Sequence, residues 1–138
     1  MNSFTKPLLV KVLDDGSEYE VLEDFMYYRS EKNTLTIRVQ KGFITDFASV
    51  PRVFWSIFPP FGRYTKAAVL HDRLCEAFLQ KESWGILYNN NSKELVKRNE
   101  ADKIFLEAME AIGVKRSTRN ILYFFVRAYA IFKYGYNA

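Results

Sequence analysis

The chain is poor in the residues that most readily announce a mechanism. It has one cysteine, Cys75, among 138 residues, which excludes an intrachain disulfide and any zinc site built from several cysteines. A reducing compartment suits a lone thiol. It has one histidine, His71, so any imidazole chemistry falls on that residue. No uninterrupted apolar run approaches the roughly 18 residues that span a bilayer, and no membrane span is expected. The first residues are not followed by a long apolar stretch, so no secretory signal is expected. Internal repeats and low-complexity tracts are absent. By length and composition the expectation is a single domain covering residues 1–138.

What is present is ordinary for a globular chain, with one excess. Hydrophobic residues make up 49% and charged residues 26%, the balance expected of a soluble globular protein. Aromatic residues reach 17%, which calls for a core of large rings or a surface that uses them. The net charge of +4 is uneven: residues 1–48 carry six Lys/Arg and eight Asp/Glu, the remainder fourteen and eight. The basic half suits an anionic partner, and a charge of this size equally suits a solvated surface. Arg116, Arg119, Tyr123, Arg127 and Tyr129 interleave bases with aromatics as single-strand platforms do. Core packing explains those aromatics more simply, so nucleic acid is not an expected partner.

Residues 7–13 read as a strand, and Asp14-Asp15-Gly16 supplies the positive φ of a hairpin turn. Residues 19–28 resume the strand pattern. Leu35, Ile37 and Val39 alternate with Thr36, Arg38 and Gln40, the period of a half-buried strand. After Gly42 the chain turns irregular. Ser49 can cap a short segment with Pro51 in its first turn. Thr65 opens a helix to about residue 80, with Ala67, Leu70, Leu74 and Phe78 on one face. Residues 81–92 read as a connection unusually rich in large apolar residues. A second helix carries Ile104, Phe105, Ala108, Met109 and Ile112 and stops at Gly113. The last, over residues 117–133, has only Arg127 charged between Ile121 and Phe132, which predicts a helix central to the core. The expected fold is α+β: an N-terminal antiparallel three-stranded meander packed against about three helices.

Within this frame Thr45, Asp46, Ser49, His71, Asp72, Asp102 and Arg127 stand in apolar surroundings, where polar groups are costly unless paired. Imidazole plus carboxylates is a donor set for one divalent metal, with zinc, manganese or iron as candidates and Asp46, His71, Asp72 and Asp102 as ligands. Such a metal would offset carboxylate repulsion and activate a water. In this scheme His71, Asp72 and Asp46 are catalytic, and Arg127, Ser49 and Thr45 bind substrate, Arg127 as a fork for an anionic group. The alternatives are a core histidine satisfied by a carboxylate, metal-free base catalysis by an oriented His71, and Ser49 or Cys75 as nucleophile. Cys75 lies one helical turn from His71. A His-Asp dipeptide on a helix, completed by an aspartate from a later helix, is also similar to secreted phospholipases A2. The disulfides and glycine-rich calcium loop of those enzymes have no counterpart here.

The runs Gly42-Phe43-Ile44-Thr45-Asp46-Phe47-Ala48-Ser49-Val50-Pro51 and Ala67-Ala68-Val69-Leu70-His71-Asp72 resemble a family of small proteins from tailed bacteriophages and prophages, known as a domain of unknown function. Pro59, Gly62, Tyr64, Ala101-Asp102, Phe105, Ala108 and Met109 extend the resemblance over roughly residues 4–135. It implies a phage or prophage origin, a place in the host cytoplasm or the virion, and phage proteins or a host protein as partners. It implies no activity. The ending departs from the family's glycine and tryptophan. Three functions follow as expectations: a small metal-dependent hydrolase, acting on peptidoglycan or a nucleotide; a virion or tail-associated structural protein in which the same residues form a buried network; and a binder of a host protein.

Overall fold

The computed structural model describes residues 3–4, 6–14, 18–29, 35–45, 63–80, 86–87 and 98–135. Asp46 and Ser49 lie outside the described residues, as do the expected capped segment after Ser49 and most of the connection 81–92. The fold is α+β, with antiparallel strands and three helices.

Among the described residues, seven short strands form two sheets. They are β1 (Ser3–Phe4), β2 (Val10–Val12), β3 (Tyr19–Val21), β4 (Phe25–Arg29), β5 (Leu35–Val39), β6 (Ile44–Thr45) and β7 (Ile86–Leu87). One sheet has the order β1-β4-β5-β7 and the other β2-β3-β6, and every pair is antiparallel. Residues 19–28, expected as one strand, are two. The break at 22–24 is held from outside the ladder. Leu22 N–H donates to Leu9 O at 2.9 Å. Asp24 accepts from the Lys41 backbone N–H at 2.5 Å and from Arg38 Nε at 3.1 Å. These bonds satisfy a backbone that leaves one sheet to enter the other. Gly42 makes the opposite crossing, from β5 to β6. Its φ of 91° lies where side chains are strained, and its N–H reaches Val21 O at 2.8 Å.

The alternation expected for β5 is the one observed. Ile37 and Val39 are buried while Arg38 between them is half-buried, and Phe25 and Tyr27 on β4 match them. The Phe4 ring packs at a tilt against Tyr27 with ring centroids 4.8 Å apart, which fastens the two-residue β1 to the core.

The helices are α1 (Thr65–Gln80), α2 (Arg98–Ala111) and α3 (Arg116–Tyr134), with α1 packed on α2 and α2 on α3. The first turns of α1 are buried nearly all round: Ala67, Ala68, Val69 and Leu70 have no exposed surface, and His71, Arg73 and Leu74 are within 2% of none. α2 buries Ala101, Asp102, Ile104, Phe105, Ala108 and Met109. It ends at Gly113, φ 77°, where Val114 N–H reaches back to Met109 O at 2.9 Å. α3 corrects an expectation. Only Leu122, Val126 and Ala130 are buried on it, while Phe124, Tyr129 and Phe132 are exposed. The helix closes the core with one face and is not central to it.

Candidate functional site

The centre of the polar constellation is Asp102. It sits in the second turn of α2, three residues before Phe105 on the same side, and is fully buried. An isolated carboxylate there would be strongly disfavoured. It is instead met from three helices. His71 of α1 brings Nε2 to 2.5 Å of Oδ1. Arg98, one turn earlier on α2, donates from Nε to the same oxygen at 2.8 Å. Arg127 of α3 donates from Nη1 to Oδ2 at 2.9 Å. One carboxylate thus ties α1, α2 and α3 together through charge-assisted hydrogen bonds.

Neighbouring groups hold each partner. The His71 ring lies 4.9 Å from the Phe105 ring. Cys75 Sγ lies 3.5 Å from His71 Nε2 and 3.9 Å from Nδ1, the contact expected one turn away. The Arg98 guanidinium packs over Tyr129 and Tyr134 of α3, with centroids at 5.8 and 6.0 Å. Arg127 has the most exposed side chain of the four, at 20%.

These contacts set the protonation states. Burial alone would pull the His71 imidazole down, but Cys75 and the Asp102 carboxylate outweigh it and push the pKa up to about 9. At neutral pH the ring is therefore charged, and Nε2–H donates to Asp102. Burial acts to raise the Asp102 pKa; the hydrogen bond and charge of His71, with the Arg98 guanidinium, win and lower it. For Arg98 burial is again outweighed, by Cys75 and Asp102, and the guanidinium is held more firmly charged.

Asp72, next in sequence to His71, belongs to a different contact. Adjacent helix residues point about 100° apart, and the Asp72 carboxylate accepts a hydrogen bond from the Thr45 hydroxyl at the end of β6. Of the expected site residues, His71, Asp102 and Arg127 come together, and Thr45 joins Asp72. His71, Cys75 and Asp102 place one donor atom each within 4.8 Å of one another, a spacing open to a metal ion. The carboxylate in that trio already faces two guanidinium groups, and a dication there meets their repulsion.

Two participants escaped sequence reading. Arg98 was legible in principle, because a base four residues before an acid on one helix is a pairing signal. Arg73 was not. It is 1% exposed, donates from Nε to Gln40 at 3.0 Å and lies over the Phe43 ring with its centroid at 5.7 Å. It joins α1 to the turn between the two sheets.

A family model described as "Protein of unknown function (DUF1353)" matches residues 19–126, which takes in His71, Asp72 and Asp102. The chain is 43% identical over 60 residues to "Uncharacterized protein y4jT" of Sinorhizobium fredii (strain NBRC 101917 / NGR234); the matched stretch covers 42% of this chain and 17% of that protein. The chain therefore spans well under two thirds of that relative's length. No solved structure matches the chain.

Proposed function

The chain belongs to the DUF1353 family of proteins of unknown function, and we propose that it is a small hydrolase in which His71 activates water. One observation carries the proposal: a lone histidine on one helix held at 2.5 Å by a buried aspartate of the next, with a second carboxylate, Asp72, adjacent in sequence. An aspartate that fixes an imidazole in one orientation and stabilises its charged form is the support a general base needs. In this reading Asp102 is a positioning residue, and the imidazole nitrogen turned away from it takes the proton. The bond best suited to an imidazole base is a carboxylic ester, whose leaving group departs more readily than that of an amide or phosphodiester. Arg127, the most exposed member of the cluster, binds an anionic substrate group. A divalent cation is not drawn to Asp102, because two guanidinium groups already occupy that carboxylate. A phage or prophage origin, implied by the motif resemblance, would place the substrate in the infected host or its envelope.

A second reading rests on the burial of Asp102. With three donors and no exposed surface, the cluster suits a structural lock, as in a virion or tail-associated protein. A panel of acyl esters, phosphodiesters and peptidoglycan, assayed with and without added divalent cation, separates the two. Hydrolysis that falls roughly 10²–10⁴-fold in a folded His71→Gln variant supports the hydrolase. Wild-type protein inactive on every substrate, with His71→Gln much less stable, establishes the lock instead.

A further inference from the structure

Cys75 belongs to the polar cluster but has no task in the activation of water by His71. Its thiol does not stand alone. Cys75 follows His71 by one turn on α1, where residues four apart share a face, and its Sγ comes within 3.5 Å of His71 Nε2 and 3.9 Å of Nδ1. Asp102 holds Nε2 at 2.5 Å from the neighbouring helix. The Arg98 guanidinium is near enough for its charge to interact with the sulfur. A nucleophile, an imidazole and an orienting carboxylate thus meet in one place, the constellation that acyl transfer uses.

Exposure separates the roles of the three. His71 is 2% exposed and Asp102 not at all, so an ester carbonyl arriving from solution does not reach the imidazole. Cys75 is half-buried and is the member of the three that presents surface. A partly exposed, electropositive setting is where reactive thiols are found, whereas structural thiols sit in apolar burial. With Nε2–H donated to Asp102, proton acceptance by the neutral ring falls to Nδ1, and the thiol lies beside it.

We infer that Cys75 is the nucleophile of the proposed ester hydrolysis and that the reaction runs through a thioester. The inference rests on the hydrolase reading of His71 and adds the group that attacks. His71 Nδ1 takes the thiol proton as Sγ bonds to the carbonyl carbon. The C–O bond of the ester breaks, the alcohol leaves with that proton, and the acyl group stays on Sγ. Water then adds to the thioester carbon and gives one proton to Nδ1. The C–S bond breaks, the carboxylic acid departs, and the sulfur recovers the proton. Cys75 and His71 are the catalytic residues of this sequence, and Asp102 is a positioning residue.

The probe is para-nitrophenyl acetate, an activated acyl ester, with the full chain as wild type, Cys75→Ala and His71→Gln. Nitrophenol release is followed from the first turnover, and acid-quenched protein is analysed by intact and peptide mass spectrometry. Wild type is expected to release a burst of about one equivalent and to carry an acetyl group on the peptide that contains Cys75. Cys75→Ala is expected to lose both with a nearly unchanged melting temperature. His71→Gln is expected to slow acylation at least about 100-fold; where that variant unfolds, Cys75→Ala and the position of the acetyl group still decide. Hydrolysis at the wild-type rate in Cys75→Ala, with no adduct, overturns the inference and leaves His71 activating water directly. An adduct that forms equally fast in folded His71→Gln also overturns it, because the thiol then acts unassisted. A Cys75 adduct that depends on His71 and is never hydrolysed supports the inference while the hydrolase reading fails. Neither adduct nor turnover on this activated ester overturns both.

Discussion

His71 on α1 and Asp102 on α2 share a hydrogen bond of 2.5 Å where neither side chain is more than 2% exposed. An imidazolium and a carboxylate so placed attract strongly, but the attraction must first repay the desolvation of both, so the pair matters most when one partner is removed and the other is left buried alone. The bond couples protonation to folding, and the coupling has a definite sign.

The folded His71 pKa of about 9 stands above its ordinary 6.5. The stabilisation this represents is complete below pH 6.5 and is lost as pH rises through about 9, where the folded state releases the proton. A shift of this size corresponds to roughly 3 kcal/mol. Urea unfolding at a series of pH values should show stability declining across that window, with the decline absent in His71→Gln. For Asp102 the pKa is lowered, so its contribution is present above the ordinary carboxylate range and disappears on acidification. A flat profile from neutral to alkaline pH would show that His71 is neutral in the fold.

Asp102→Asn should be among the most damaging single substitutions in the described residues. It leaves Arg98 and a charged His71 buried without their carboxylate, at a cost of roughly 3–5 kcal/mol. Arg127→Met should cost less, because that side chain is 20% exposed and its stem can pack along apolar surface. Equal losses in the two variants, measured by denaturant midpoints, would contradict the central place given to Asp102.

If His71 is a general base, only its neutral form works. With a pKa of about 9, roughly one molecule in a hundred carries that form at neutral pH. For any substrate found, kcat/KM should therefore climb about tenfold per pH unit towards pH 9 and then level. A profile that levels near pH 6.5 would assign the base role elsewhere or return His71 to its ordinary pKa.

Arg73 makes a separate prediction. Its Nε–Gln40 bond and its stacking on Phe43 use the planar guanidinium, which lysine does not reproduce. Arg73→Lys should therefore lose a large part of the roughly 2–4 kcal/mol expected for Arg73→Ala, a broken buried polar contact with a cavity. Thermal unfolding of the two variants side by side decides it.

Gly113→Ala tests the backbone alone. A Cβ there would sit 3.5 Å from Arg63 Nη1, ordinary contact, so the penalty comes from φ 77°. It should be about 1 kcal/mol, read as a modest fall in denaturant midpoint.

Much of this molecule is written locally. The alternation in Leu35, Ile37 and Val39, the stripe of Ile104, Phe105, Ala108 and Met109, and the stop at Gly113 each depend on neighbours within a turn or a pleat, and short-range periodicity is enough to read them. The same locality marked His71, Asp102 and Arg127 as polar groups that burial would force to pair. Which groups they pair with was settled by packing. Asp72 is adjacent to His71 in sequence, yet Asp102, 31 residues away, makes the 2.5 Å bond, because partner choice follows from how α1 and α2 are rotated against each other. Arg73 is buried because α1 meets the turn at Gln40, a contact no single segment implies. The outward face of α3 was illegible for the same reason. A helix apolar nearly all round reads as central, and only the position of α3, with α2 on one side of it, leaves Phe124 and Phe132 in the open.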